Sequence, residues 1–258
     1  MIRNFTKLFG IIALAALIGF LTAACGDGDS SGGDSGDPAF LGDTLVLSGQ
    51  VYLEKSTETG ISYQKYNGNL TIEDYYYGGS GEVKNGKLSY SIETPTNLET
   101  LTLRAFPIDS LNEEEYDNLT ISNENVTGVI LSRLSTNNNT YSSLVKESHT
   151  LRISNNGYSQ TIERVYYVYV HKDVTISGKG KTRTGNYINN GTKASWSSTT
   201  KNFSLALRTG WNAVYSKGTG SFTITGPMDN PTSSSSITTD TISLSNPSLR
   251  WVCPWNEP

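Results

Sequence analysis

Arg164-Val165-Tyr166-Tyr167-Val168-Tyr169-Val170-His171 is the densest run of β-branched and aromatic side chains in this chain of 258 residues. Successive side chains of a strand point to opposite faces, so Val165, Tyr167 and Tyr169 face one way and Tyr166, Val168 and Val170 the other. Both faces are large and apolar, which predicts a strand covered on both sides at the centre of a sheet.

The chain on either side of this run follows the same logic. Downstream, Val174-Thr175-Ile176, Phe203-Ser204-Leu205-Ala206-Leu207, Ala213-Val214-Tyr215, Ser221-Phe222-Thr223-Ile224-Thr225, Ile237 to Leu244 and Leu249 to Cys253 are short strand-like runs separated by polar turns. Upstream, Leu45 to Leu53 alternates, and Leu88, Tyr90 and Ile92 share a face. Asn67-Gly68 and Asn85-Gly86 are dipeptides that tolerate positive φ and suit hairpins. Between the two groups, Pro107 to Asn125 is the candidate boundary, since Asp109 to Asp117 carries Glu113-Glu114-Glu115 and no strand pattern, with room for a short helical turn, and its acids are read as a solvated face. No period of 20 to 50 residues repeats, which removes solenoid and propeller architectures.

Leu47-Ser48-Gly49-Gln50-Val51-Tyr52, a middle strand, and Lys84-Asn85-Gly86-Lys87-Leu88-Ser89-Tyr90 resemble the small immunoglobulin-like or transthyretin-like β-sandwiches of secreted bacterial proteins. The fold expected is therefore all-β, one or two antiparallel β-sandwich domains. Residues 41–110 are assigned to the first and 119–258 to the second.

The first forty residues read differently. Arg3 and Lys7 precede an apolar stretch, Leu8 to Ala24, that ends in small residues, as a cleavable export signal does. It is followed by Asp27, Asp29, Asp34 and Asp37, where a cytoplasmic stop would carry Lys or Arg. Leu21-Thr22-Ala23-Ala24-Cys25 resembles the lipobox of bacterial lipoproteins in the looser form found in spirochaetes. That resemblance implies cleavage between Ala24 and Cys25 and acylation of Cys25. Residues 1–24 are thus expected to be a signal helix and 25–40 the lipidated cysteine with a tether. Gly26 to Pro38 has too little apolar surface to offset the entropy of ordering, and would span roughly 20 Å as a flexible chain. Each buried CH₂ of an acyl chain contributes about 0.8 kcal/mol, so several chains are needed for stable anchoring. The segments around Tyr169 to Gly178 and Leu205 to Tyr215 also resemble uncharacterised lipoproteins of treponemes and related bacteria, which implies an envelope location and no assigned activity.

Composition narrows the chemistry. Loss of the leader removes Arg3 and Lys7 and no acid, leaving a formal charge of −6, whereas nucleic-acid binding calls for a basic stripe. If Cys25 is acylated, Cys253 has no disulfide partner; it reads as a small hydrophobe on a terminal strand. The two histidines, His149 and His171, stand in separate segments without zinc-ligand spacing, and His171 reads as a hydrogen-bonded residue at a strand end. Gly180-Lys181-Thr182 imitates the end of a phosphate loop, but Thr175 occupies the place of its leading glycine. Gly78-Gly79-Ser80-Gly81-Glu82 misses a nucleophile elbow at its last residue. No catalytic motif, cofactor or metal site emerges. Tyr75, Tyr77, Trp196 and Trp251 are the candidates for stacking on a sugar ring, against the alternative that they fill core. The function expected is a non-enzymatic, lipid-anchored envelope protein at the periplasmic face of the outer membrane or the cell surface. Its expected partners are the membrane, through the acyl chains, and an envelope glycan or host surface ligand. A hydrolase of envelope polysaccharide or peptide and a carbohydrate-binding or adhesion module are the alternatives.

Overall fold

The computed structural model describes residues 39–57, 59–73, 77–100, 116–138, 142–189, 192–225, 232–244 and 249–254. Ala24, Cys25, the tether up to Pro38 and Tyr75 lie outside them. The protein is all-β, with nineteen strands and no helix among the described residues. The first seven are β1 (Phe40–Gly42), β2 (Leu45–Thr57), β3 (Gly60–Lys65), β4 (Leu70–Thr71), β5 (Ser80–Lys84), β6 (Lys87–Ile92) and β7 (Glu99–Thr100). Then come β8 (Tyr116–Ile121), β9 (Thr127–Leu131), β10 (Leu134–Ser135), β11 (Ser143–Ser154), β12 (Gly157–Val170) and β13 (Val174–Gly180). The chain ends with β14 (Thr182–Asn189), β15 (Thr192–Thr200), β16 (Phe203–Leu207), β17 (Gly210–Thr225), β18 (Thr232–Leu244) and β19 (Arg250–Cys253).

Sixteen strands form one sheet whose main path runs β14-β15-β18-β17-β12-β11-β19-β2-β6-β5-β4, while β16-β13-β8 form a second. All pairings are antiparallel except β15 with β18 and β19 with β2. Strand β12, which contains the opening run, pairs with β17 along its whole length and with β11 and β9 on its other side. Val165 to Val170 are buried on both faces, as their alternation predicts. They join one apolar cluster that reaches from Leu45, Leu47 and Val51 at one end of the sequence to Trp251 and Cys253 at the other.

Strands from 41–110 and from 119–258 share this sheet and this cluster, joined by β1 with β17, by β7 with β9 and through β19, while β8 begins at Tyr116, inside the segment expected to carry no strand. Strand β19 lies between β11 and β2, with Val145 opposite Val252 on one side and Val51 opposite Trp251 on the other. Trp251, Val252 and Cys253 are buried, so the last strand closes the core from both halves.

The two Asn-Gly dipeptides behave differently. Asn85 and Gly86 both take positive φ, 49° and 75°, and turn β5 directly into β6 as the two-residue hairpin requires. Asn67-Gly68 makes no hairpin, since β3 pairs back onto β2 and β4 pairs onto β5. Gly68 instead gives its carbonyl to the Gly86 N–H at 2.9 Å, and Asn69 Oδ1 accepts from the Asn85 N–H at 2.8 Å. The first dipeptide thus braces the turn made by the second.

Candidate ligand-binding surface

Burial along β12 and β17 changes partway. The halves running from Val165 to Val170 and from Gly210 to Val214 are core, whereas Gly157 to Arg164 and Ser221 to Thr225 are half-buried or exposed except at Gln160. With β11, β18, β15 and β14 they make a six-stranded extension of the sheet. Register decides what each of its faces carries, because residues opposite one another on neighbouring strands share a face.

One face is a lattice of hydroxyls. Thr182, Thr199, Thr238, Thr219, Thr161 and Thr150 form a row across all six strands. The next row on that face is Thr184, Ser197, Ser236, Ser221, Ser159 and Arg152. Hydroxyls bond across strands, Thr182 to Thr199 at 3.2 Å, Ser221 to Ser236 at 2.7 Å and Thr225 to Thr232 at 2.8 Å. Their small side chains leave a shallow depression of about 370 Å³ over β14, β15 and β18. Where the lattice meets the body, Glu163 accepts hydrogen bonds from the Tyr215 hydroxyl at 2.6 Å and from Lys217 Nζ at 3.1 Å. These hold its carboxyl below the ordinary glutamate range, the Tyr215 bond most strongly.

The opposite face is aromatic. Gly185, Trp196, Ser235, Phe222, Tyr158 and Ile153 form one cross-strand row. A Cβ added at Gly185 would collide with the Trp196 indole at Nε1, Cε2 and Cζ2, so the indole lies across the edge strand on the space that the glycine leaves. Tyr158 and Phe222 stack at 5.8 Å between centroids with 27° between planes. Ile153 and Ile224, on the same face, are 44 % and 36 % exposed. The central row is thus apolar, with its three aromatic rings half-buried and Ile153 and Ile224 open to solvent, and Arg183 lies one row away on the same face.

The three candidate aromatics that are described separate accordingly. Trp196 belongs to this row and is half-buried. Trp251 is 1 % exposed and donates Nε1–H to the Ser48 carbonyl at 3.1 Å, so it is core and presents no ring to a ligand. Tyr77 packs half-buried against the main cluster. Phe222 and Tyr158 take the places beside Trp196. Their signal in the sequence was the alternation of apolar residues with Ser and Thr in Ser221 to Thr225 and around Trp196.

A second constellation is polar and sealed. Glu147 on β11 lies opposite Arg164 on β12 and Arg250 on β19, and Arg164 Nε donates to Glu147 Oε2. Two residues on, His149 Nδ1 bonds Glu54 Oε1 at 3.0 Å, and the His149 N–H donates to the Tyr63 hydroxyl at 2.6 Å. Arg250 stacks over the Tyr63 ring at 4.6 Å. Burial pushes the Glu147 carboxyl up against the pull of Arg164. Burial also works against a charged His149, and the Glu54 carboxylate outweighs it, so the imidazole titrates above its ordinary value. The side chains of both ion pairs are at most 15 % exposed. The group ties β2 and β3 to β11 and β12 inside the fold.

Elsewhere, His171 Nδ1 accepts from the Thr127 N–H at 2.8 Å at the end of β12, which fixes the ring. Cys253 is buried, and burial pushes its thiol up to about 12. Among the described residues no group of three or more His, Cys, Asp or Glu side chains is arranged to hold a metal ion, and no helix is long and apolar enough to cross a membrane. No family model, no curated protein and no solved structure matches the chain.

Proposed function

We propose that this chain is an exported bacterial lipoprotein of the cell envelope, held to the membrane through Cys25, with a binding role carried out by an immunoglobulin-like or transthyretin-like β-sandwich body and its sheet extension. The export and anchoring part is supported by the order of Arg3 and Lys7, the apolar Leu8 to Ala24, Cys25 and the acidic Gly/Ser segment behind it. The binding part is supported by one observation above all, the row of Trp196, Phe222 and Tyr158 on a sheet face half open to solvent. A face of that kind favours ligand contact, because large aromatic surface left against water stabilises nothing until something covers it. Among the described residues, the site where Glu54, Glu147 and His149 converge is buried and braced, which favours binding over hydrolysis.

Metabolic labelling with a palmitate analogue tests the anchor. The wild-type chain should take up label and partition with membranes, and Cys25→Ala should do neither. Label and membrane association retained by Cys25→Ala would sink the lipoprotein reading. Protease treatment of intact cells then separates the two locations: digestion places the body on the cell surface, protection places it in the periplasm.

A further inference from the structure

The aromatic face of the extension has a shape and a chemistry that narrow its ligand. We infer that it binds an extended, uncharged β-linked polysaccharide, laid across the strands over Trp196, Ser235, Phe222 and Tyr158. The inference rests on the binding role proposed above and adds to it the site and the ligand class.

Four observations on this face carry the choice. First, the row itself holds no charged side chain, and in the two rows beside it the one ionic group among the described residues is Arg183 on the edge strand β14, so a highly charged polymer would lose hydration over most of its length without gaining a counter-charge. Second, the Trp196 indole reaches across the edge strand over Gly185, where any Cβ would displace it, so that its ring lies on the sheet face. Flat rings match the apolar C–H faces of pyranose units. Third, Trp196 on β15 and Phe222 on β17 are two strands apart, about 9.6 Å, a step comparable to the disaccharide repeat of an extended β-1,4 glycan. Ser235 lies between them on β18 and supplies a hydroxyl that both donates and accepts. Tyr158, with its ring face against that of Phe222, extends the apolar row towards Ile153.

Fourth, size argues against the other occupants. Six strands and three residue rows give a face of about 24 Å by 14 Å, roughly 340 Å², whereas a stable protein interface needs about 800 Å² from each partner. The face is too small for a second copy of the chain and long enough for a short oligosaccharide. An extended peptide recognises a sheet through the unpaired backbone of an edge strand, and the face of a sheet offers none.

The test uses the full-length chain, purified in detergent and titrated with the hexamer of β-1,4-linked N-acetylglucosamine, with the coiled α-1,4 glucose hexamer as control. Indole fluorescence and calorimetry report binding, and light scattering reports mass. Saturable binding of the β-linked hexamer is expected, weakened about tenfold or more by Trp196→Ala or Phe222→Ala, since each removes one platform. Trp196→Tyr should keep most of the affinity. Gly185→Val should weaken binding by lifting the indole, with circular dichroism unchanged. Ser236→Ala, on the hydroxyl face, should bind like the wild type. The inference is overturned if the β-linked hexamer does not bind, if Trp196→Ala binds it equally, or if the α-linked hexamer binds as well. A dimer that Trp196→Ala dissociates would overturn it too, and would assign the face to self-association. None of these outcomes touches the Cys25 labelling result, so the ligand can fail while the anchor stands.

Discussion

Replacing Arg164 by leucine probes the sealed polar group that joins the two ends of the fold. Glu147 is 2 % exposed, and its carboxylate is held by Arg164 directly opposite on β12. The leucine keeps the aliphatic bulk of the side chain and removes the guanidinium, leaving a buried carboxylate with Glu54 as a repelling neighbour. Removing one partner of a buried pair costs about 3–5 kcal/mol at neutral pH. For a protein of this size that is a fall in Tm of about 10 °C. The pH dependence identifies the cause. The Glu147 carboxyl already titrates above its ordinary value, so its contribution is most favourable below the unfolded value and is lost as pH rises through the folded one. Without Arg164 the folded value climbs further, and the difference between variant and wild type should be small near pH 5 and largest above pH 7. His149 also titrates high, so its pairing with Glu54 is fully present below the ordinary histidine value and is lost as pH rises through the folded one. A His149→Gln background removes that second titration. The measurement is urea unfolding of both chains across pH 5 to 8, comparing midpoints at constant slope. A stability difference independent of pH, or smaller than about 1 kcal/mol at pH 7.5, would show that the Glu147 charge is not confined as the geometry requires.

Three further outcomes follow from the packing. Trp251→Ala should cost about 3–5 kcal/mol in the same unfolding assay, because it empties a fully buried site and frees the Ser48 carbonyl; a loss under 1 kcal/mol would mean that β19 does not close the core. In a Cys25→Ala chain, Cys253 should resist an aromatic disulfide reagent at pH 8 and react at once in urea, since burial pushes its thiol up to about 12 and denies access; stoichiometric reaction of the folded chain would contradict the burial. Hydrogen exchange along β12 should be slowest from Val165 to Val170 and faster from Gly157 to Gln160, following the passage from core to extension; uniform protection along the strand would indicate that something covers the extension on both faces.

The central strand was legible because its signal is local: alternating large residues over Val165 to Val170 specify burial on both faces whatever the neighbours are. Asn85-Gly86 was legible for the same reason, as positive φ at two consecutive residues is a property of the dipeptide. Asn67-Gly68 shows where that argument stops. The same two residues can be recruited as hydrogen-bonding partners of another turn, and only the pairing of β3 with β2 reveals which use they serve. The pairing of β19 with β2 and the Glu54–His149 pair were out of reach, since their partners lie some two hundred and one hundred positions away in sequence. The aromatic row was half visible. Each strand announces its own alternation, but whether Trp196, Phe222 and Tyr158 meet depends on the parallel register of β15 on β18, and nothing local sets that register. Trp251 left two readings open, a stacking ring or core, and only the position of its strand between two others decides for core.

The division of labour along β12 and β17 explains how such a face can be held in place without a cover. A sheet open to water on both sides lacks the burial that ordinarily fixes register, and a slip of one residue would exchange its aromatic and hydroxyl faces. Here the same strands continue into the core, where Tyr166, Val168, Ala213 and Val214 cannot shift without exposing buried side chains. At about 1.5–3 kcal/mol for each large apolar side chain exposed, a slip in the body costs far more than the extension could regain. Register is therefore set in the body and exported along the strands, with only the bulge beside Lys217 interrupting the β17–β18 ladder on the way. Hydroxyl pairs such as Ser221–Ser236 and Thr225–Thr232 then reinforce the outer ladder with side chains too short to obstruct either face. The result is a platform whose residues lie outside the main core cluster, so that Trp196, Phe222 and Tyr158 can be exchanged at smaller cost to the fold than the Val165 to Val170 segment.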